Sequence, residues 1–228
     1  GDSQYRAIVG SVKHCIIPLQ GHPVVTAPWK PRGTGSHRHH NCRPFIMEFD
    51  NNVFDMIIED YSSEWEPRDF TESFETGTAR VQKEFIRWHE AAPEIPDKYH
   101  QASLLASYIT WSAIVPSSGN FKKPAMLMSK RWMLNAWNWD NYFNAWSTSL
   151  RDPEFAWDIF GLHLSHQHPQ GALPDGINEV KIGLTYTKPP VHGWILKRMY
   201  EMGILSLDQI ASVYGNLVRW TEWWFSYR

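Results

Sequence analysis

The spacing of apolar residues changes part-way along the chain, and this change limits the fold more than any other feature. From residue 76 onward, apolar side chains recur every three or four positions, which is the period of a helix that buries one face. Prolines and glycines divide this region into about six helices that are joined two by two. The pattern therefore predicts a mainly α domain built from helical hairpins.

Start and stop signals support several of these helices. Asp152 comes directly before Pro153, the usual order of an N-cap residue and a first helical residue. Gly203 can end a helix, because glycine readily adopts the left-handed backbone of a C′ position. Ser206 followed by Gln209 forms a capping box that would open the last helix. These signals place two helices in the last third of the chain, on either side of Gly203.

Two earlier helices are expected on periodicity alone. The first would begin at Thr78 as its cap and end before Pro93. The second would run from about residue 97 to Val115 and end at Pro116. Residues 167–191 follow the fourth helix as a long irregular connection, and such loops on a rigid scaffold usually bind or gate a ligand.

The first sixty residues have a different pattern. Short β-branched runs such as AIVGSV, CIIPL and HPVVTA are separated by glycine and proline, as in the strands of a small sheet. Residues 61–75 are polar and acidic and are interpreted as a linker. We therefore expect a β-rich segment with a linker at 1–75, which can be interpreted as the remnant of an N-terminal β domain, followed by a helical domain at 76–228.

Composition and net charge argue against two classes of binding partner. The chain has 228 residues, of which 43% are hydrophobic and 20% charged, as in globular proteins. Its net charge of −2 gives no electrostatic basis for binding nucleic acid or an anionic membrane surface. No apolar run reaches the length of a membrane-spanning helix. We expect neither nucleic acid nor membrane as a partner.

A stretch at 130–157 is rich in tryptophan, and the acidic residue Asp140 lies among these tryptophans. A carboxylate among aromatic rings can accept hydrogen bonds from sugar hydroxyls, while the rings cover the apolar face of a pyranose. The alternative interpretation is an aromatic core at a helix junction, with Asp140 as an N-cap. The tryptophans of this stretch are Trp132, Trp137, Trp139, Trp146 and Trp157.

Two sequence blocks carry a resemblance to known enzymes. WNWDNYFNA resembles the Y-x-W-D-x-Y/F segment of the trehalases and of glycoside hydrolase family 63. GALPDGINEVKIGLTYTKPPVHGW, at 171–194, resembles the block with paired prolines that follows it in those enzymes. Family 63 fits better, because Lys188 stands where trehalases usually have a glutamine. The resemblance covers about residues 76–228 and implies the first half of a six-plus-six helical toroid, a partial (α/α)6 fold.

The resemblance also implies a set of sugar-binding residues. Trp139 would form an aromatic wall, Asp140 would accept hydroxyl hydrogens, and Lys188 would donate to hydroxyl oxygens. Three members of the set have a structural alternative. Asp175 could only shape a turn, Lys188 could be solvated, and Trp194 could belong to the core. The complete set is Arg131, Trp139, Asp140, Asp175, Lys188, His192 and Trp194.

The catalytic pair is not expected within this sequence. Glycoside hydrolysis needs two carboxyl groups on opposite sides of the scissile bond. The resemblance implies an inverting enzyme for α-glucosidic or similar α-glycosidic bonds, with its acid in an S-G-(W/M)-D-N segment that this sequence lacks. We therefore expect the acid and base beyond residue 228 and no activity from this chain alone. The expected partners are an oligosaccharide or glucoside substrate and the remaining half of the toroid.

Histidine clusters raise the question of a metal. The first cluster lacks a typical zinc-ligand spacing, and the second, whose spacing is closer, has no carboxylate or cysteine to complete the ligand set. No glycine-rich phosphate loop is present, and no cofactor or metal is expected. The two clusters are His37, His39, His40 with Cys42, and His163, His166, His168.

Two other functions stay open. The chain could be a non-catalytic carbohydrate-binding or helical scaffold module that keeps the pocket around Asp140. It could also be an array of helical hairpins that binds a protein, and Asp140 would then face away from any concavity.

Overall fold

A computed structural model describes residues 5–9, 12–21, 23–26, 46–49, 54–61, 69–129 and 134–227. The chain divides into two units, residues 1–77 and residues 78–228. No helix in the described ranges combines the length and the apolar character needed to cross a membrane. The expected domain identities, a β-domain remnant and half of a toroid, stay predictions.

The described strands of the first unit form short antiparallel sheets, which agrees with the β-branched runs in its sequence. One sheet has the strand order β1-β2-β5, and β3 pairs with β4 in a separate ladder. The register between β2 and β5 shifts between Pro18 and Gln20, where a proline without an N–H group weakens the ladder. The strands are β1 Tyr5–Val9, β2 Val12–Gln20, β3 Pro23–Thr26, β4 Ile46–Phe49 and β5 Asp55–Tyr61.

Helices dominate the described part of the second unit, so the mainly α prediction is confirmed, while the toroid stays a prediction. The helices are α1 Phe74–Glu90, which begins before the unit boundary, α2 His100–Trp111, α3 Asn138–Thr148, α4 Pro153–Ser165, α5 His192–Glu201 and α6 Leu207–Tyr227. Short strands connect them: β6 Ile114–Val115 pairs with β7 Ala125–Met126, and β8 Ala136–Trp137, β9 Gly176–Ile177 and β10 Ile182–Gly183 form a sheet in the order β10-β9-β8.

The capping signals of the later helices are confirmed. The Asp152 carboxylate accepts a hydrogen bond from the Phe155 N–H at 2.9 Å, at the start of α4. Gly203 has φ 73° directly after α5. The Ser206 N–H donates to Gln209 Oε1 at 2.9 Å, and the Gln209 N–H donates to Ser206 Oγ at 3.2 Å. Both bonds of the predicted capping box are therefore present.

The expected end of the first helix, before Pro93, is confirmed, but its expected start and the expected end of the second helix are wrong. α1 begins before Thr78, because the Ser73 hydroxyl accepts a hydrogen bond from the Thr76 N–H at 3.3 Å and supplies the cap. α2 ends before Val115, because Val115 pairs with Ala125 in the β6–β7 ladder. A pairing between distant residues replaces the helical bonds that the local pattern favours.

The main core of the second unit lies where α3, α4, α5 and α6 pack together. Its side chains are among the most deeply buried of the described residues. Because α3 contacts both α4 and α5, the first turn of α3 has a defined position relative to α5. The largest fully buried members on these four helices are Tyr142, Ile159, Phe160, Ile195, Met199 and Trp220.

A glycine contact joins two loops beside the β8-β9-β10 sheet. Gly119 has φ +56°, and a Cβ placed on it would lie 2.1 Å from the Glu179 carbonyl oxygen. The next residue, Asn120, donates its backbone N–H to Glu179 O at 2.9 Å and its side-chain amide to Asn178 O at 3.0 Å. The loop that contains Gly119 therefore holds the loop between β9 and β10 in place.

Candidate functional site around Asp140

Asp140 lies in the first turn of α3, directly after strand β8. The N-cap position belongs to Trp137, and no side chain caps the helix there. Asp140 is therefore not the N-cap, and that part of the alternative interpretation is wrong. Its side chain is partly exposed, so a ligand can reach it.

Burial and the neighbouring groups have opposite effects on the pKa of the Asp140 carboxylate. Burial penalises the charged form and raises its pKa above the ordinary value. Its own backbone N–H, the Lys188 ammonium and a hydrogen bond from the Trp139 side chain lower the pKa, whereas the Asp175 charge raises it. Asp140, Lys188 and Asp175 are therefore close enough to interact, although they come from two separate blocks of the sequence.

Asp175 and Lys188 form an ion pair inside this group. Lys188 Nζ lies 3.1 Å from Asp175 Oδ1, and Asp175 is only 5% exposed. The contact does not have hydrogen-bond geometry, and Oδ1 accepts no hydrogen bond from any described residue. The pair is therefore held by charge, while a buried carboxylate oxygen keeps an unused acceptor.

The backbone on both sides of Asp175 is fixed by hydrogen bonds. The Asn138 N–H donates to Asp175 O at 2.7 Å, and the Asp175 N–H donates to Gly183 O at 2.7 Å. The Asn138 side chain donates to Pro174 O at 2.8 Å. These hydrogen bonds therefore fix the position of the loop before β9 relative to the first residue of α3.

Trp137 joins the same group, although the sequence analysis did not assign it to the site. Lys188 Nζ lies 5.3 Å from the centroid of its ring, a cation–π contact. A Cβ on Gly176 would come within 2.9 Å of ring atom Cε3, so the ring needs a glycine beside it. Trp137 stands at the tyrosine position of the Y-x-W-D pattern, and that alignment was the signal that could have identified it.

The two other aromatic candidates are substantially exposed. Trp139 is 39% exposed and Trp194 is 46% exposed, so the interpretation of Trp194 as a core residue is wrong. The Trp194 ring packs edge-on against Trp146, with 5.2 Å between centroids, and against Phe143, with 6.2 Å. These rings form an aromatic surface where α3 and α5 meet.

His192 lies in a different environment. It is 1% exposed, and its ring centroid is 3.9 Å from that of Tyr142. Burial lowers its pKa to about 3, with a smaller contribution from His163. His192 lines a cavity between α5 and α6, and neither Asp140 nor Asp175 belongs to that lining. Its assignment to the sugar site stays a prediction.

The remaining candidates give no metal site within the described ranges. His163 and His166 each donate a ring N–H to a backbone carbonyl, Ala136 O and Asn120 O, both at 3.1 Å. Among the residues that the structure describes, no group of three or more metal-ligand side chains occurs. Arg131 and the histidine-rich loop at 37–42 lie outside the described residues.

Comparison with known proteins gives a match for the region that contains this site. Residues 133–228 match a family model described as mannosylglycerate hydrolase MGH1-like glycoside hydrolase domain. The match supports a glycoside hydrolase family for this part of the chain, and Asp140, Asp175 and Lys188 lie within it. A search of curated proteins found no match.

Proposed function

We propose that the group around Asp140 binds one sugar unit and supplies half of the sugar site of an inverting glycoside hydrolase. Its substrate would carry an α-glucosidic or similar α-glycosidic bond, as the resemblance to family 63 implies. The observation that carries this proposal is the grouping of a partly exposed Asp140 carboxylate with Asp175 and Lys188 beside exposed aromatic rings. The match to a glycoside hydrolase domain over the same residues supports it.

The three kinds of group suit a pyranose. An ionised carboxylate accepts hydrogen bonds from two hydroxyls, and an ammonium group donates to hydroxyl oxygens. The exposed ring of Trp139 offers a flat apolar face of the kind that covers the C–H side of a sugar. The two carboxylates outnumber the one ammonium group, so an anionic ligand would be repelled, whereas an uncharged sugar would not.

The proposed role is binding and orientation. Hydrolysis with inversion needs a general acid and a general base on opposite sides of the bond, roughly 6.5–9.5 Å apart. Neither group is assigned among the described residues. In a complete (α/α)6 toroid, the remaining helical hairpins would supply the other side of the sugar site.

Replacement of Asp140 by asparagine tests the site directly. Methyl α-D-glucopyranoside is titrated into the protein at pH 7, and binding is followed by the shifts of tryptophan indole resonances in NMR spectra. We expect Asp140→Asn to weaken binding at least tenfold, because an amide accepts through one oxygen where the carboxylate accepts through two. The melting temperature should change little, since Asp140 supplies no helix cap.

Asp208→Asn is the matched control, because Asp208 is an exposed acid in the first turn of another helix, α6. It should leave sugar binding unchanged. Methyl β-D-glucopyranoside should bind more weakly than the α-anomer. Equal sugar affinity of Asp140→Asn and the unaltered protein would contradict the proposal, and no binding of either anomer would favour the helical scaffold function.

A further inference from the structure

A cavity of about 360 Å³ lies between the start of α5 and the second half of α6, and we call it the α5–α6 cavity. This volume falls in the range of small-ligand sites, roughly 300–1,000 Å³. Its lining combines aromatic rings with the backbone of a helix start. The residues that matter here are His192, Gly193, Trp220, Thr221, Trp224 and Phe225.

Several nitrogen atoms of this lining are buried without a hydrogen-bond partner among the described residues. They are Nε1 of Trp220, Nε1 of Trp224 and both ring nitrogens of His192. Trp220 and His192 are each 1% exposed, so bulk water does not replace the missing partners. A buried polar group without a partner destabilises the protein, so three such residues around one cavity indicate a site for a hydrogen-bonding ligand.

The start of α5 adds further donors. Val191 is its N-cap residue, and no side chain caps the helix. The N–H groups of the first turn of a helix have no partner within the helix, and the helix dipole makes this end favourable for negative charge. A Cβ placed on Gly193 would meet no atom within 4 Å, so there is open space beside this turn.

The lining is rich in donors and poor in charge. Within the part of the chain that the structure describes, no Lys, Arg, Asp or Glu lines the cavity. The Thr221 hydroxyl already donates to Leu217 O at 2.8 Å, so its oxygen is left to accept. A metal cation would therefore find no anionic ligand, and a neutral sugar would find few acceptors for its hydroxyl hydrogens.

From this arrangement we propose that the α5–α6 cavity binds a small carboxylate. A carboxylate is an acceptor with two oxygens, and each oxygen can receive two hydrogen bonds. The two indole N–H groups and the first turn of α5 would supply them, while the rings of Trp224 and Phe225 cover the apolar part of the molecule. This site is distinct from the group around Asp140 and does not depend on the function proposed for that group.

Indole N–H resonances report this binding. Sodium acetate is titrated into the protein against sodium chloride at equal ionic strength, and the ¹⁵N-labelled tryptophan side chains are observed by NMR. We expect the Trp220 and Trp224 indole N–H signals to move downfield to saturation, as their hydrogens enter hydrogen bonds. Trp224→Phe identifies one signal by its loss and should weaken acetate binding at least tenfold, because it removes a donor and keeps an aromatic ring.

Trp157→Phe is the control, because Trp157 is a partly buried tryptophan on α4 outside this lining. It should bind acetate as the unaltered protein does, and so should Asp140→Asn. His192→Phe is a second variant with a different effect on packing, and it should also weaken acetate binding. Acetate that moves neither indole signal, or that binds Trp224→Phe with unchanged affinity, would overturn the proposal.

Discussion

At the scale of single residues, the raised pKa of Asp140 predicts how sugar binding depends on pH. Only the ionised carboxylate accepts hydrogen bonds through both oxygens. Its folded-state pKa lies above the ordinary value of 3.8, because burial outweighs the stabilising charge of Lys188. Affinity for methyl α-D-glucopyranoside should therefore be constant near neutral pH and fall as the pH drops through that raised pKa.

Titrations between pH 7 and pH 4 measure this effect. Asp140→Asn, which has no titrating group at this position, should bind weakly with a flat pH profile. A steep profile that persists in Asp140→Asn would assign the pH dependence to another group and contradict the prediction.

Sequence and structure agree unevenly on the individual site residues. Asp140, Asp175 and Lys188 could be selected from sequence, because two recognisable blocks contain them and the structure brings those blocks together. Trp137 could not be selected on physical grounds, since its role depends on contacts with Lys188 and with Gly176. The position of His192 depends on which side of α5 faces α6, and a motif does not contain that information.

At the scale of secondary-structure elements, the β8-β9-β10 sheet is sensitive to one glycine. A Cβ at Gly176 would approach the Trp137 ring to 2.9 Å, so Gly176→Ala has to displace the ring or separate the strands. We expect it to destabilise the protein by roughly 1–3 kcal/mol, the usual cost of overpacking, and to weaken sugar binding. Thermal unfolding and glucoside titration measure the two effects.

Gly183→Ala is the matched control on the neighbouring strand. A Cβ there would lie 3.4 Å from Gly176 O, an ordinary contact. This substitution should be neutral or stabilising by about 0.4–1 kcal/mol, because alanine restricts the unfolded chain. Equal stability of the two variants would show that the Trp137 ring does not need a glycine beside it.

The predicted elements were most accurate where local chemistry decides them. Hydrogen bonds within a few residues form the caps at Asp152 and Ser206, so the sequence contains all of their partners. Val115 belongs to a two-residue strand whose partner, Ala125, lies in another segment. Strands this short have no detectable period, so their formation follows from tertiary packing.

At the scale of the whole molecule, two buried histidines tie global stability to pH. Burial lowers the pKa of His163 and of His192 from 6.5 to about 3. Above pH 6.5 both are neutral in the folded and the unfolded chain. Below pH 6.5 these two imidazoles bind protons in the unfolded chain, whereas in the folded chain they stay neutral down to about pH 3. The free energy of unfolding should therefore fall as the pH drops from 6.5 to 3.

The expected loss is on the order of 1 kcal/mol per pH unit for each imidazole, measured by urea unfolding at several pH values. His192→Phe should reduce this slope and preserve folding, because the ring it replaces has no described hydrogen-bond partner. Trp157→Phe, which replaces a partly buried ring that does not titrate, should leave the slope unchanged. A slope that is the same in all three proteins would contradict the prediction.

The close approach of Gly119 to Glu179 has a consequence for mutational surveys of this chain. A Cβ only 2.1 Å from the Glu179 carbonyl oxygen cannot be relieved by rotating a side chain, because the backbone fixes the position of the Cβ and the oxygen belongs to the main chain. Saturation mutagenesis should therefore recover glycine alone at position 119 under any selection that requires the folded protein. A screen for sugar binding would score the position as indispensable, and a screen for cellular abundance would give the same result and reveal the requirement as steric.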